Sequence, residues 1–443
     1  MGKVDRRINV GHNARVENHR RRSWVMGAAV LPLLLLSAGC HLRSSEAHST
    51  AVQASTETAE TAAQRISWGN RVLLTGKAHP SKQAGAEALA RQDYRVAITA
   101  LEEARQGDPT DPETLIYLNN ARLRDRDAYG IAVVVPVSAY PAETASLLRG
   151  IAQAQTRLNQ SGGVRGTGVR IAIADEGDTS RVSSLATALA EHPDIIAVIG
   201  HDRTAAAAAD VYDGQLAAIL PTAAAVEPQG SLQSLAHSPV SAAAALADYA
   251  DRIGHRTATL LYSGDSDTSV AFQEQFAEAL TAVGGQVVQA QDIDSRSGRA
   301  AKAELIAFSL EKENVLEAAV GYVKTLDGPL RPQHLLADQA LYQPERLEEL
   351  GSLADGLILA VPDFLHESPA SPFDEAAQAL WQTPLTWHSA AGYAASQQLF
   401  DALRSAPDRR GIIRASQATP ASQVQLVRVD RDGDDRYRLE PID

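Results

Sequence analysis

Between Tyr129 and Val361 the chain repeats one unit: a short, continuous apolar run rich in β-branched residues, then a stretch of helical period. The first series reads Ile131–Pro136, a helix over Glu143–Gln160, Val169–Ala174, a helix over Arg181–Glu191, Ile195–Ile199, a helix over Arg203–Gly214, and Ala217–Leu220. These runs lack the in–out alternation of a half-exposed strand, so both faces of each strand must be covered. Such strands, separated by helices, belong to a doubly wound parallel sheet. After Pro239 the pattern restarts, with helices over Ala242–Ile253, Val270–Val283 and a stretch ending near Leu326. The strands of this second series are Ala258–Tyr262, Gln286–Gln289, Glu304–Ser309, His334–Ala337 and Gly356–Val361, and Val424–Val429 with Arg436–Leu439 reads as a closing hairpin. One core rarely serves more than about 250 residues, and the chain has 443. An α/β protein of two lobes is expected, with its ligand in the cleft outside the carboxyl ends of the strands.

The N-terminus reads as an address. Arg20–Arg22 precede the apolar run Trp24–Leu36, which closes on Ser37-Ala38-Gly39-Cys40. The run is too short to span a bilayer and has the charged-then-apolar order of a secretory signal. Its ending resembles a bacterial lipobox, although Ser37 stands where an aliphatic residue is usual. Residues 1–39 are thus expected to be a signal peptide and Cys40 to be lipidated. That makes the chain an exported periplasmic or cell-surface lipoprotein held at a bacterial membrane. An uncleaved anchor is the competing reading. Residues 40–64, rich in Ser, Thr, Ala and Glu, cannot bury a core and read as a disordered tether.

Charge and cysteine usage exclude several classes. The net charge is −13, and the basic residues of the first 39 positions make everything beyond them more acidic still. No basic stripe is available to neutralise phosphates, so nucleic acid is excluded as a partner. Cys40 is the single cysteine, which rules out an intrachain disulfide, a cysteine-based zinc site or an iron–sulfur cluster. No G-x-S-x-G or HExxH motif occurs, so no enzymatic activity, metal or cofactor is expected.

Residues 81–112 consist of strong helix formers, with Gly85, Ala97, Leu101, Ala104 and Pro109 at the spacings of a tetratricopeptide repeat and Leu115 and Leu118 opening a further helix. The segment resembles one such helix–turn–helix unit. Ser81, Ala84 and Ala88 occupy the positions where the repeat carries Trp, Leu and Tyr. Two readings stand: a helical hairpin packed on the next domain, or a docking repeat for a protein partner.

Several landmarks then point to one family: Val135-Pro136-Val137-Ser138, Leu148-Arg149-Gly150, Asn159–Gly166, Ile199-Gly200-His201, Asp210-Val211-Tyr212 and Leu220-Pro221-Thr222, followed by Phe276–Gly285 with Val287 and by Asp338–Tyr342. From about residue 130 onward the chain resembles the substrate-binding proteins of branched-chain amino acid ABC transporters. The resemblance implies the type I periplasmic-binding fold and a clamp that closes on an amino-acid-like small molecule and presents it to an ABC permease. It implies ligand contacts at Tyr140, Thr204, Ala205, Thr222, Ala223, Ala224, Ser309 and Asp338. Thr204 stands where the family has a carboxylate-binding serine, and Asp338 where it has an acidic residue facing the ammonium. Ala224 replaces a family hydroxyl, and the loop Gly264–Thr268 lacks a family tyrosine. The lobes are expected at 128–241 with 365–408, and at 242–364 with 409–443, after a helical segment over 65–127. A lipoprotein joining such a repeat to this fold also resembles the activators of peptidoglycan synthases, which act through a protein partner.

Other features have plainer readings. Asp430–Asp435 lacks the Gly and Glu of a calcium loop and reads as a turn. The glycine-rich Gly162–Gly168 follows a helix and precedes a strand, the wrong order for a phosphate cradle. His201 has no second ligand at metal spacing, and Trp381 and Trp387 read as packing aromatics.

Overall fold

The computed structural model describes residues 59–443 apart from 77–78, 125, 202–203, 224–229, 294–302, 311–315, 325–333, 366–371, 384–385, 420–421, 432–436 and 443. Cys40, the signal segment and most of the tether lie outside the described residues, as does Ala224.

The first sheet has six strands: β1 (Ile66–Ser67), β2 (Ala128–Val135), β3 (Gly168–Asp175), β4 (Ile195–Gly200), β5 (Ala217–Leu220) and β6 (Leu232–Ser234), in the order β1-β3-β2-β4-β5-β6. All pairs are parallel except β1 with β3. Its faces explain the unbroken apolar runs. Ile131, Val133 and Val135 enter one hydrophobic cluster while Ala132 and Val134 enter the other, so successive residues of one strand feed two cores.

Helices α1 (Ala59–Ala63), α6 (Val182–Glu191) and α7 (Ala205–Tyr212) contribute to the second cluster, α1 through Ala62. On the opposite face lie α5 (Pro141–Gln160), α12 (Pro372–Trp381), α13 (Trp387–Ser405) and α14 (Arg409–Ala418). Gly150 lets α5 and α13 touch: a Cβ there would sit 1.8 Å from the Ser389 carbonyl. Trp381 is buried against α5 with its indole N–H donating to Gln153.

The second sheet has seven strands: β7 (Thr257–Tyr262), β8 (Gln286–Asp292), β9 (Leu305–Ser309), β10 (Leu335–Asp338), β11 (Ile358–Pro362), β12 (Val424–Arg431) and β13 (Tyr437–Pro441). The order is β13-β12-β11-β10-β9-β7-β8, with the closing hairpin antiparallel. One face packs on α8 (Pro239–Arg252) and α9 (Asp267–Ala282), the other on α10 (Leu316–Lys324) and α11 (Pro344–Leu350).

The segment before β2 does not stand apart. Helices α2 (Pro80–Ala90) and α3 (Tyr94–Gly107) form an antiparallel hairpin, close-packed where Gly85 faces Leu101, and α4 (Pro112–Leu123) follows. Ala88, Leu101, Leu115 and Leu118 share one hydrophobic cluster with Ile131, Leu148 and Ile171 of the first lobe. Asn120 on α4 bonds Ile171 on β3 in both directions, and Asn119 donates to Gln155 and Thr156 on α5. The segment is part of the first lobe.

Two expected boundaries move. The stretch expected as a tether over 40–64 ends early, because Ala59–Ala63 is helical and Ala62 is buried in the first lobe's core. The sequence places residues 409–418 with the second lobe, yet α14 packs on the first. Arg409 donates to the carbonyls of Ala190, His192 and Ile195, and Ile412 enters the first lobe's core. The amphipathic helix follows its apolar stripe, and the chain crosses to β12 only after Thr419. Among the described residues no helix is long and apolar enough to cross a membrane.

Candidate ligand-binding site

In a parallel sheet every strand delivers its next residue to the same edge, so side chains distant in sequence meet beyond the carboxyl ends. In the first lobe that edge receives Glu176 after β3, His201 after β4, and Pro221, Thr222 and Ala223 after β5. The strand-to-helix passage after β4 is tight: Gly200 has φ +120° and a Cβ there would lie 1.9 Å from the Val134 carbonyl, while His201 itself adopts φ +66°. This backbone turns the His201 side chain inward.

The imidazole of His201 is fully buried. Its Nδ1 lies 3.0 Å from Glu176 Oε1, and its Nε2 lies 2.8 Å from the hydroxyl of Tyr212, at the end of α7. Burial, with the Glu176 carboxylate adding to it, holds the Tyr212 phenol well above its ordinary pKa. A neutral imidazole carrying its proton on Nδ1 satisfies both contacts, donating to the carboxylate and accepting from the phenol.

Thr204 is the N-cap residue of α7, but its side chain makes no cap bond. Its hydroxyl donates to Glu176 Oε1 instead, the same oxygen that faces His201. The residue expected to face a ligand's carboxylate is therefore bonded to a carboxylate of the chain itself. Ala205, next in line, is fully buried; Ala223 is buried and its carbonyl accepts from Ser234 at 2.6 Å. Thr222 is half-buried beside it, and Tyr140 caps the start of α5 with 36% of its surface exposed.

The second lobe brings its two expected residues into contact. Ser309 ends β9 and Asp338 ends the neighbouring β10. The Ser309 hydroxyl donates to Asp338 Oδ2 at 2.9 Å, and the Ala340 N–H donates to Oδ1 at 3.0 Å. Both residues are buried, Asp338 with 6% of its surface exposed. Below them the Ser309 carbonyl accepts from the Ser269 hydroxyl and from the Ser263 N–H, tying β7, β9 and α9 together.

Passages between the lobes lie beside these edges. In the first, His237 places Nε2 3.3 Å from the Ala360 carbonyl of β11. Gln233 on β6 donates to the Thr419 carbonyl, where the chain leaves α14. Asp363, just after β11, accepts from the Ser422 hydroxyl at 2.7 Å and bonds Gln423 through the backbone.

Sequence reasoning missed Glu176. A signal was present: Glu176 stands two residues past the apolar run Val169–Ala174, at the end where a parallel strand hands its polar residues to the ligand edge. Among the described residues no three His, Cys, Asp or Glu side chains are grouped to hold a metal ion.

Residues 128–436 match the family model for periplasmic binding protein. An ABC transporter substrate-binding protein from Sphaerobacter thermophilus superposes with a TM-score of 0.61 at 20% identity, covering 72% of this chain and 97% of its own. The branched-chain amino acid transporter substrate-binding protein of Streptococcus pneumoniae, solved with isoleucine, gives 0.58 at 14% identity and covers 71% and 99%. An ABC transporter solute-binding protein from R. palustris, solved with benzoate, gives 0.58 at 16% identity and covers 71% and 96%. No curated protein sequence matches the chain. At such identities the solved structures establish the fold, and the matched span of residues establishes the family: this chain belongs to the periplasmic binding proteins and has their two-lobed, type I α/β architecture.

Proposed function

We propose that the protein is the lipid-anchored, extracytoplasmic solute-binding component of an ABC importer. It captures a small polar solute between the carboxyl edges of its two sheets by closure of the lobes and hands it to a permease. The observation that carries this reading is the buried Ser309–Asp338 pair. A carboxylate held in place by a hydroxyl and a backbone N–H still has lone pairs for a solute's N–H or ammonium. The solved relatives that hold isoleucine and benzoate support a solute of this size.

The test is a thermal-shift screen of the full-length chain against amino acids, short peptides, amides, urea and sugars. The helical segment must be kept, because α4 supplies core to the first lobe. A ligand at 100 times its dissociation constant adds about 2.7 kcal/mol, enough to raise the midpoint by several degrees. A panel without a single shift, from protein that melts cooperatively, would remove this reading.

A second reading, a regulatory lipoprotein that acts through a protein partner such as a peptidoglycan synthase, is favoured by one observation. Where the helical hairpin meets the first sheet, Trp68, Leu89, Tyr94, Arg124, Arg170 and Asp194 line a groove. Neither arginine has an ion pair among the described residues, and Arg170 lies over the Trp68 ring at 5.9 Å. Co-purification of a cell-wall synthase with wild-type protein, lost in an Arg124→Glu/Arg170→Glu variant, would establish it.

A further inference from the structure

The first-lobe edge holds a carboxylate of its own. Glu176 is 2% exposed, and its Oε1 takes the Thr204 hydroxyl and faces His201 Nδ1. No Lys or Arg side chain pairs with its carboxylate among the described residues, and Arg65 donates to its backbone carbonyl instead. We infer that Glu176 determines which solutes the first-lobe half of the site admits: it closes that half to groups bearing a carboxylate and favours groups that present neutral N–H donors or a cation.

The argument is one of charge and geometry. Thr204 stands at the N-terminus of α7, where its hydroxyl is oriented to serve an anion, and the helix end itself favours negative charge. Glu176 already supplies that anion from within the chain. A solute carboxylate brought to Thr204 would meet a second carboxylate at hydrogen-bonding range in a site shielded from water, where like charges repel strongly. The hydroxyl has one proton to give, and Glu176 holds it. An amide or ammonium meets the opposite situation, because a carboxylate with unused lone pairs attracts it. Across the cleft Asp338 is a second buried carboxylate, so both half-sites offer acceptors rather than donors.

This inference rests on the solute-capture reading, and matched pairs separate the two. Thermal shift and calorimetry on the full-length wild-type chain would compare isoleucine with isoleucinamide, and benzoate with benzamide. The expected result is at least tenfold tighter binding of one or both amides over the matching acid. In Glu176→Gln, which keeps the shape and loses the charge, that preference should shrink or reverse. Wild-type protein that binds the acid at least as tightly as the amide in every pair it recognises would overturn the inference and leave solute capture standing. The same holds if a folded Glu176→Gln, checked by its circular-dichroism melt, keeps the wild-type preference. Silence toward every member of both pairs and toward the wider panel would overturn solute capture, and this inference with it. The wild-type comparison alone decides the matter if the variant fails to fold.

Discussion

Lys82 Nζ lies 2.6 Å from Glu113 Oε2 and 2.7 Å from Asp111 Oδ2, with the Lys82 side chain 2% and the Glu113 side chain 0% exposed. Burial pulls the ammonium's pKa down, but the two carboxylates more than offset it and leave Lys82 above its usual 10.5. Glu113 also accepts from the N–H groups of Leu73 and Leu74 and from the Tyr117 hydroxyl. One buried charge cluster therefore fastens the chain at 73–74 to α2 and α4. Lys82→Met keeps the volume and strands the carboxylates, which should cost about 3–5 kcal/mol, the usual result of breaking a buried pair from one side. Urea unfolding measures it, and a loss below about 1 kcal/mol would show that the cluster is not what holds the segment.

Gly150 sets two effects against each other. In an exposed helix Gly→Ala gains about 1 kcal/mol of helix propensity. Here the added Cβ would meet backbone of α13, 1.8 Å from the Ser389 carbonyl and 2.7 Å from the Tyr393 N–H nitrogen. Backbone cannot swing aside as a side chain can, and overpacking typically costs about 1–3 kcal/mol or more. A Cβ at Gly392 would likewise lie 2.4 Å from the Leu147 carbonyl, so the close approach is shared by both helices. Gly150→Ala should be destabilising by at least about 2 kcal/mol in chemical denaturation. A stabilised variant would mean that α5 and α13 are free to move apart.

The alternation of α and β was legible because a strand covered on both faces shows as an unbroken apolar run. Ile131–Pro136 and Val169–Ala174 fall on β2 and β3 for that reason. Strands β1 and β6 were not legible: Ile66-Ser67 and Leu232-Gln233-Ser234 are short and of mixed polarity, and become strands only through the neighbours they pair with. The helical segment's small residues revealed its close packing, but nothing local to it records that α4 completes the first lobe's core. At the site, the second-lobe pair Ser309 and Asp338 came from the resemblance to the family rather than from any local pattern. Glu176 escaped notice because its role depends on the turn at Gly200-His201, which brings Thr204 to it from another strand.

His237 predicts how stability responds to acid. Burial lowers its pKa below the usual 6.5, outweighing the Ala360 carbonyl and the more distant Asp363, which favour the charged form. Among the described residues its buried Nδ1 has no hydrogen-bond partner. In the unfolded chain the imidazole takes up a proton near 6.5, while in the folded chain it resists until lower pH. This contribution to stability is therefore complete above about 6.5 and is lost as the pH falls from there toward the folded value. The slope from this one group can be no steeper than about 1.4 kcal/mol per pH unit. Urea midpoints at pH 7.5, 6.0 and 5.0 should fall less in His237→Gln than in wild type. Parallel curves would assign the acid sensitivity elsewhere.

Asp338→Asn separates the two acceptors of the site. The asparagine can keep the hydrogen bond from Ser309 or from Ala340 through its carbonyl oxygen but loses the charge and one acceptor. If Asp338 receives a solute's ammonium, a ligand such as isoleucinamide should bind at least tenfold more weakly to the variant, while benzamide, which carries no ammonium, should change much less. Glu176 lies on the other lobe, and its contacts with Thr204 and His201 are separate from those of Asp338 with Ser309 and Ala340. Effects of independent sites add to within about 0.5 kcal/mol, so Glu176→Gln/Asp338→Asn should show the sum of the two single losses toward isoleucinamide. Calorimetry on the four proteins measures this. A double variant no weaker than either single one would show that the two carboxylates act through one shared contact, and that the lobes close more tightly on the solute than separate half-sites require.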